Sequence, residues 1–244
     1  MADLTRGAGE AGDVSRETVP APDPVVVAEV VAPERLPLLE RYAALLATEG
    51  VVRGLIGPRE VPRLWDRHLI NCALLAPLLP EGATIADLGS GAGLPGLVLA
   101  IARPDLEVTL VEPMARRVAF LEEAIAELGL ARVVVARGRA EQWTGSERFD
   151  VVTARALAAL PKLLDWAMPL VAERGVLLAM KGSSAPEEIE AARPDLARWR
   201  ARADVVRSSV PGSSVTTVVR VVRDPGPAIG WRAASARRRR REHA

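Results

Sequence analysis

Hydrophobic positions follow two rhythms along the chain, and the change between them divides it. From Pro33, the run PERLPLLERYAALLATEG sets Leu36, Leu39, Tyr42, Ala43 and Leu46 on one stripe, which predicts an amphipathic helix ending at Gly50. A second predicted helix opens at Pro62 in VPRLWDRHLINCALLAPLLP, with Leu64, Trp65, His68, Leu69 and Cys72 at helical spacing. Together they predict a small helical cap. From Ala83 short apolar runs alternate with longer helical segments. TIADLG, EVTLVE, ARVVVARG, FDVVTAR and GVLLAMKG read as strands, separated by LPGLVLAIA, MARRVAFLEEAIAELGL and a helical segment through LAALPKLLDWAMPLVAE. Such alternation implies parallel strands joined by right-handed crossovers, hence a doubly wound α/β sheet. RADVVRSSV and SVTTVVRVV, separated by PGS, then read as a closing hairpin whose last strand must run antiparallel.

Composition adds boundaries to this picture. Residues 1–24 are rich in Ala, Gly, Pro and charge, with five acidic and two basic side chains and no periodicity, so a disordered extension is expected there and not a secretory signal. The cap is expected over residues 25–80, the α/β domain over 81–224 and a disordered Arg-rich tail over 225–244. The net charge of +1 is uneven: residues 231–244 carry +5, leaving the other 230 at −4. Arg237 to Arg241 would be drawn to phosphate backbones, or form a solvated tail without a specific role. No apolar run is long enough to span a bilayer, and a cytoplasmic protein without membrane contact is expected. The single cysteine, Cys72, cannot form an internal disulfide and reads as a buried small hydrophobe. With only two histidines, His68 and His243, no metal site is expected.

The stretch ADLGSGAGLPG, Ala86 to Gly96, carries the candidate chemistry. Read from Gly91 it is G-x-G-x-x-G, the spacing of a dinucleotide fold; read from Asp87 it is D-x-G-x-G-x-G, a loop that wraps S-adenosylmethionine. Glycines at Gly89, Gly91 and Gly93 serve either cofactor, because both need a sharp turn with no side chain between backbone and ligand. Asp87 discriminates. A carboxylate beside the turn would repel a pyrophosphate, whereas S-adenosylmethionine brings a cationic sulfonium and ammonium; alternatively Asp87 is a turn former bonded to local amides. Glu112 ends the second predicted strand, 21 residues beyond Gly91, where a carboxylate can accept hydrogen bonds from both ribose hydroxyls. In GRAEQW, the main chain at Ala140 and the carboxylate of Glu141 could meet an adenine edge, unless Glu141 is an ordinary acid at a helix start. The closing hairpin is the layout of class I methyltransferases and not of a six-stranded dinucleotide fold.

ADLGSGAGLPG, the Arg117–Leu121 run RVAFL, GRAEQW, Thr153-Ala154-Arg155-Ala156 and Ala179-Met180-Lys181-Gly182, with Arg67-His68 upstream, resemble the RsmG family, also called glucose-inhibited division protein B. The resemblance covers roughly residues 62–183. It implies a Rossmann-like class I methyltransferase fold, a seven-stranded, mostly parallel sheet with an antiparallel last strand behind a small helical cap. It implies S-adenosyl-L-methionine as cofactor and N7 of one guanine of 16S ribosomal RNA as acceptor, in the small subunit or an assembly intermediate. By position it implies cofactor contacts at Gly89, Leu94, Ala140, Glu141 and Arg155, beside Asp87, Gly91, Gly93 and Glu112 from the residues themselves. The chain departs from the family in TEGVVRGLIGPREV, where a Trp-Asn and Asn-Leu-Thr segment is usual, so no contacts carry over from there.

Guanine N7 carries no proton, so no catalytic acid or base is expected, and methyl transfer rests on alignment. RNA contacts are expected at Arg67, His68 and Lys181; His68 could equally be a packed core histidine, and Lys181 stands out because 30 of the 32 basic residues are arginine. Arg155 could contact cofactor or RNA. With two Phe, one Tyr and five Trp, an aromatic platform for single strands is not expected, and recognition falls to RNA shape and phosphates. A monomer is expected. The alternative is a methyltransferase for a different RNA or a small molecule; a nicotinamide-dependent oxidoreductase is disfavoured by Asp87 and the hairpin.

Overall fold

A computed structural model of the chain describes residues 24–143, 147–211 and 213–223. The expectations for the acidic extension and the Arg-rich tail lie almost wholly outside these residues. Among the described residues no helix is long and apolar enough to cross a membrane.

Seven strands form one sheet: β1 Thr84–Leu88, β2 Glu107–Glu112, β3 Val133–Arg137, β4 Phe149–Arg155, β5 Val171–Lys181, β6 Ala201–Ser208 and β7 Thr216–Arg223. Their order is β3-β2-β1-β4-β5-β7-β6. The first five are parallel, and β7 is antiparallel to both β5 and β6. This is the expected mostly parallel, Rossmann-like sheet with its closing antiparallel strand. Chain order runs outward from β1 in one direction and from β4 in the other, so the sheet has its switch point between the carboxyl ends of β1 and β4. An open α/β sheet binds ligands there.

Alternate residues of each central strand enter opposite cores, as the period of two requires. Ile85, Leu110, Val151 and Leu178 pack on one side with the cap, α4 (Gly96–Ala102) and α5 (Ala115–Leu128). Ala86, Leu88, Val152 and Leu177 pack on the other with α6 (Leu160–Ala167), α7 (Ala185–Ala191) and α8 (Arg193–Arg198). The cap consists of the short α1 (Pro24–Ala28), α2 (Leu36–Leu45) and the segment Pro58–Ala73, which ends in α3 (Asn71–Ala73). Its stripe of Leu39, Tyr42, Ala43 and Leu46 is buried in the same core as α4, so cap and sheet share one interior.

Several predicted boundaries move. The first cap helix passes Gly50 in a wide π turn, Leu46–Gly50, and the chain reverses at Gly54, whose φ of +66° glycine alone adopts freely. The second is not α-helical from Pro62: a 3₁₀ turn, Pro58–Arg63, feeds a π turn, Leu64–Ile70. The helical segment predicted through Glu173 ends at Ala167, because the next residue but one is Pro169 and Val171 already pairs with Phe149 at the start of β4. Helices α7 and α8 were not predicted; each is under two turns, too short to show a period.

The last strands also fasten the cap. The hydroxyl and amide of Ser214, in the β6–β7 loop, donate to the Asp66 carboxylate at 2.8 and 2.7 Å, and Thr216 Oγ1 donates to Asn71 O at 3.0 Å.

Candidate active site

After β1 the backbone passes through the left-handed region at Gly89, Gly91 and Gly93, with φ of +69°, +59° and +95°. Gly89 and Ser90 donate their amides to Val111 O, which keeps the loop against the end of β2. Three glycines in this stretch are crowded by their neighbours, the first being Gly89, where a Cβ would lie 2.6 Å from Leu157 Cδ1. A Cβ on Gly93 would lie 2.5 Å from Leu97 Cδ1 and 2.9 Å from Tyr42 Oη; one on Gly96 would lie 2.3 Å from Leu110 Cδ2 and 2.7 Å from Asp87 Oδ2. Gly91 differs: the nearest atom to its Cβ position is Gly89 O at 3.8 Å, an ordinary contact, so no neighbour crowds it.

The two carboxylates act on this loop from beneath. Asp87 is wholly buried; Oδ2 accepts the Gly96 amide at 3.1 Å, and Oδ1 has no hydrogen-bond partner among the described residues. Burial pushes its carboxyl up to about 7, with the Gly96 amide, Ser90 and Arg155 pulling the other way. The structure therefore puts Asp87 under the turn, bonded to a local amide, and does not expose it on the loop surface. Glu112 is also buried: Oε2 accepts the Gly91 amide at 3.0 Å, Oε1 accepts the Met114 amide at 3.0 Å, and Arg117 Nη1 stands 3.6 Å from Oε2. Glycine loop and strand-two carboxylate thus form one unit, as an adenosine-binding site needs.

A third support comes from the cap. Tyr42, the chain's single tyrosine, is wholly buried and donates its hydroxyl to Ala92 O at 2.6 Å, inside the loop. Burial holds its phenol well above the ordinary range, so it stays a donor. The sequence places Tyr42 only on a hydrophobic stripe, although its rarity was a signal.

Across the crevice, Arg155 ends β4 and is followed by Ala156 at φ +51°, a conformation unusual for a residue with a Cβ. The Arg155 guanidinium reaches the cap: it donates to His68 Nδ1 at 2.7 Å, to Arg67 O at 3.3 Å and to Cys72 Sγ at 3.4 Å. His68 Nε2 in turn lies 2.8 Å from Glu60 Oε2, and Arg67 Nη1 donates to Glu60 Oε1 at 3.1 Å. Cys72 is buried as expected, its thiol pushed up to about 11 by burial. Thus Arg67, His68 and Arg155, assigned separately to RNA and cofactor, form one cluster. Glu60 joins them from eight residues before His68; no local spacing announces it.

Lys181 ends β5 next to β4, but its ammonium points inward, donating to Ala158 O at 2.7 Å and to Glu188 Oε2 at 2.6 Å. Glu188 Oε2 also accepts the Leu160 amide, so the pair ties α7 to the β4–α6 turn. Ala140 lies buried on a 3₁₀ turn, Ala140–Gln142, beyond β3, and Glu141 is exposed there, 3.8 Å from Arg139. Leu94 is half-buried in the glycine loop.

Comparison with known proteins fits this geometry. The family described as rRNA small subunit methyltransferase G matches residues 35–213. The chain is 62% identical over 230 residues to ribosomal RNA small subunit methyltransferase G of Nocardioides sp. (strain ATCC BAA-499 / JS614), covering 93% of this chain and 91% of that one. It is 57% identical over 208 residues to the protein of the same name from Thermobifida fusca (strain YX), covering 84% and 87%. Among solved structures, PH0793 from Pyrococcus horikoshii superposes with a TM-score of 0.51 over 64% of this chain and 63% of its own at 14% identity, a likeness of fold alone.

Proposed function

Because the chain belongs to the rRNA small subunit methyltransferase G family, we propose that it transfers the methyl group of S-adenosylmethionine to N7 of one guanine in 16S ribosomal RNA, in the small subunit or an assembly intermediate. The observation that carries this reading is the joined unit of glycine loop and carboxylates at the switch point: Gly91 uncrowded by any neighbour, its amide on Glu112, and the unpaired Asp87 oxygen beneath. S-adenosylmethionine, when bound, supplies an electrophilic methyl on a sulfonium.

The chain's own residues bind and orient. Gly89, Gly91 and Gly93 provide a surface of main chain with the half-buried Leu94 side chain beside it; Glu112 faces the ribose hydroxyls; Ala140 and Glu141 border the adenine. Guanine N7 attacks through an in-plane lone pair and releases no proton, so the site needs a fixed line of approach and no general base. Arg155 at the end of β4 and Arg67 on the cap border the place where the base must enter, and their charges suit guanine O6 and phosphates. His68 and Lys181 belong to this rim as its inner supports.

Calorimetry with S-adenosylhomocysteine tests the cofactor: binding is expected, NADH should give none, and Gly91→Arg should abolish binding while the fold survives. Binding of NADH alone would sink the reading. For the acceptor, small subunits from cells lacking the protein should lose one N7-methylguanine, seen as a lost aniline cleavage after borohydride; an unchanged cleavage pattern would refute the RNA assignment.

A further inference from the structure

We propose that Glu60 is a positioning residue for methyl transfer: by accepting the Nε2 hydrogen of His68 it keeps Nδ1 bare, and Nδ1 then holds the Arg155 guanidinium at the end of β4. The proposal rests on the reading that Arg155 borders the transfer site.

Guanidinium chemistry fixes the direction of every bond in this chain. Arginine has donors and no acceptor, so at 2.7 Å from Arg155 Nη2 the His68 Nδ1 atom must be the acceptor. A neutral imidazole has one donor nitrogen and one acceptor nitrogen, so the hydrogen sits on Nε2, 2.8 Å from Glu60 Oε2. Glu60 is itself held by Arg67, whose Nη1 lies 3.1 and 3.4 Å from its two oxygens. One carboxylate therefore sets both members of the Arg67-His68 pair. The pair lies on the π turn Leu64–Ile70, where the wider turn replaces regular helix geometry. Arg155 has two further acceptors on the same segment, Arg67 O and Cys72 Sγ, but a backbone carbonyl and a neutral thiol cannot change state at neutral pH. His68 can.

The charged groups facing the imidazole are Glu60 on the preceding 3₁₀ turn, Arg67 beside it and Arg155 from β4. Burial and the Arg155 charge hold His68 below the ordinary imidazole range, while Glu60 pulls it up. At neutral pH the bare Nδ1 is thus maintained, and in acid its protonation turns an acceptor into a second cation against Arg155.

Two measurements on the full-length protein test this. With only two histidines in the chain, ¹⁵N-labelled imidazole spectra resolve His68, assigned by its loss in His68→Asn. The Nε2–H tautomer is expected; an Nδ1–H tautomer overturns the proposal. Transfer of labelled methyl from S-adenosylmethionine to unmethylated small subunits is then compared among variants of equal melting temperature. Glu60→Leu and His68→Leu should each lower kcat about tenfold, the scale of one lost charged hydrogen bond, whereas His68→Asn, which puts an amide oxygen where Nδ1 stood, and Glu60→Gln, which keeps an acceptor for Nε2, should retain most of it. The acid limb of the wild-type rate should move to lower pH in Glu60→Gln and vanish in His68→Asn. Equal losses in the Leu and Asn variants of His68, or an acid limb that stays in place, would overturn the role. A wild type inactive on every ribosomal RNA defeats the functional reading instead, and the tautomer still judges the hydrogen bonds.

Discussion

The two walls of the crevice are built from different materials. At the ends of β1 and β2 the wall is main chain: glycines in left-handed conformation, an amide on Glu112 and an amide on Asp87. At the end of β4 it is side chain: Arg155, His68, Glu60 and Arg67 in one connected set, with Lys181 and Glu188 behind. The backbone wall is rigid and answers to sterics, and to pH only through the buried Asp87 carboxyl beneath it. The side-chain wall is held by directional hydrogen bonds and answers to protonation.

Substitutions separate the two behaviours. The largest effect should come from the backbone wall. Gly93→Ala forces a side chain onto a φ of +95° and drives Cβ to 2.5 Å from Leu97 Cδ1, for an expected loss of ~3 kcal/mol in urea unfolding. A loss below ~1 kcal/mol would show the loop to be yielding after all.

The next effect is pH-dependent. Asp87 folds with its carboxyl raised to about 7, so the protonated form is favoured in the folded chain. Its contribution to stability is complete below the unfolded value of about 4 and is lost as pH rises through about 7. The ligand-free protein should therefore lose stability between about pH 4 and pH 7, on the order of a few kcal/mol, and change little above that through this group. Asp87→Asn should flatten that slope, as followed by melting temperature across the range. An unchanged slope would place the titration elsewhere.

On the side-chain wall, Lys181→Met strands Glu188 beside the Leu160 amide and should cost about 2 kcal/mol of stability. Its effect on RNA affinity distinguishes an inner support from a phosphate contact: the slope of log affinity against log salt stays at the wild-type value for a support and falls by about 1 for a contact. Smallest of all, Glu141→Ala removes an exposed carboxylate and should shift the melting curve by less than ~0.5 kcal/mol. Any measurable loss of S-adenosylhomocysteine affinity in that variant then reports adenine contact and not a damaged fold.

The same division explains what the residues revealed in advance. Strands β2 and β4 were legible to the residue, because EVTLVE and FDVVTAR are apolar runs bounded by turns. So was the glycine loop, since left-handed backbone is written as glycine. Tyr42, Glu60 and Glu188 were not. Tyr42 meets the loop across 50 residues, and Lys181 meets Glu188 because the unpredicted short helix α7 turns back directly after β5. Asp87 illustrates a partial reading: its position beside the turn was right, but burial under Gly96 follows from packing that periodicity does not carry.

The fastening of Asp66 by Ser214 spans 148 residues. During synthesis the cap segment leaves the ribosome long before the β6–β7 loop that holds it, and the nascent chain must carry Arg67 and His68 without that restraint until nearly all of the described strands have emerged. The residue that clasps the cap is therefore among the last of the described ones to be made, and a chain cut short before Ser214 would lose with it β7, the strand that lies between β5 and β6.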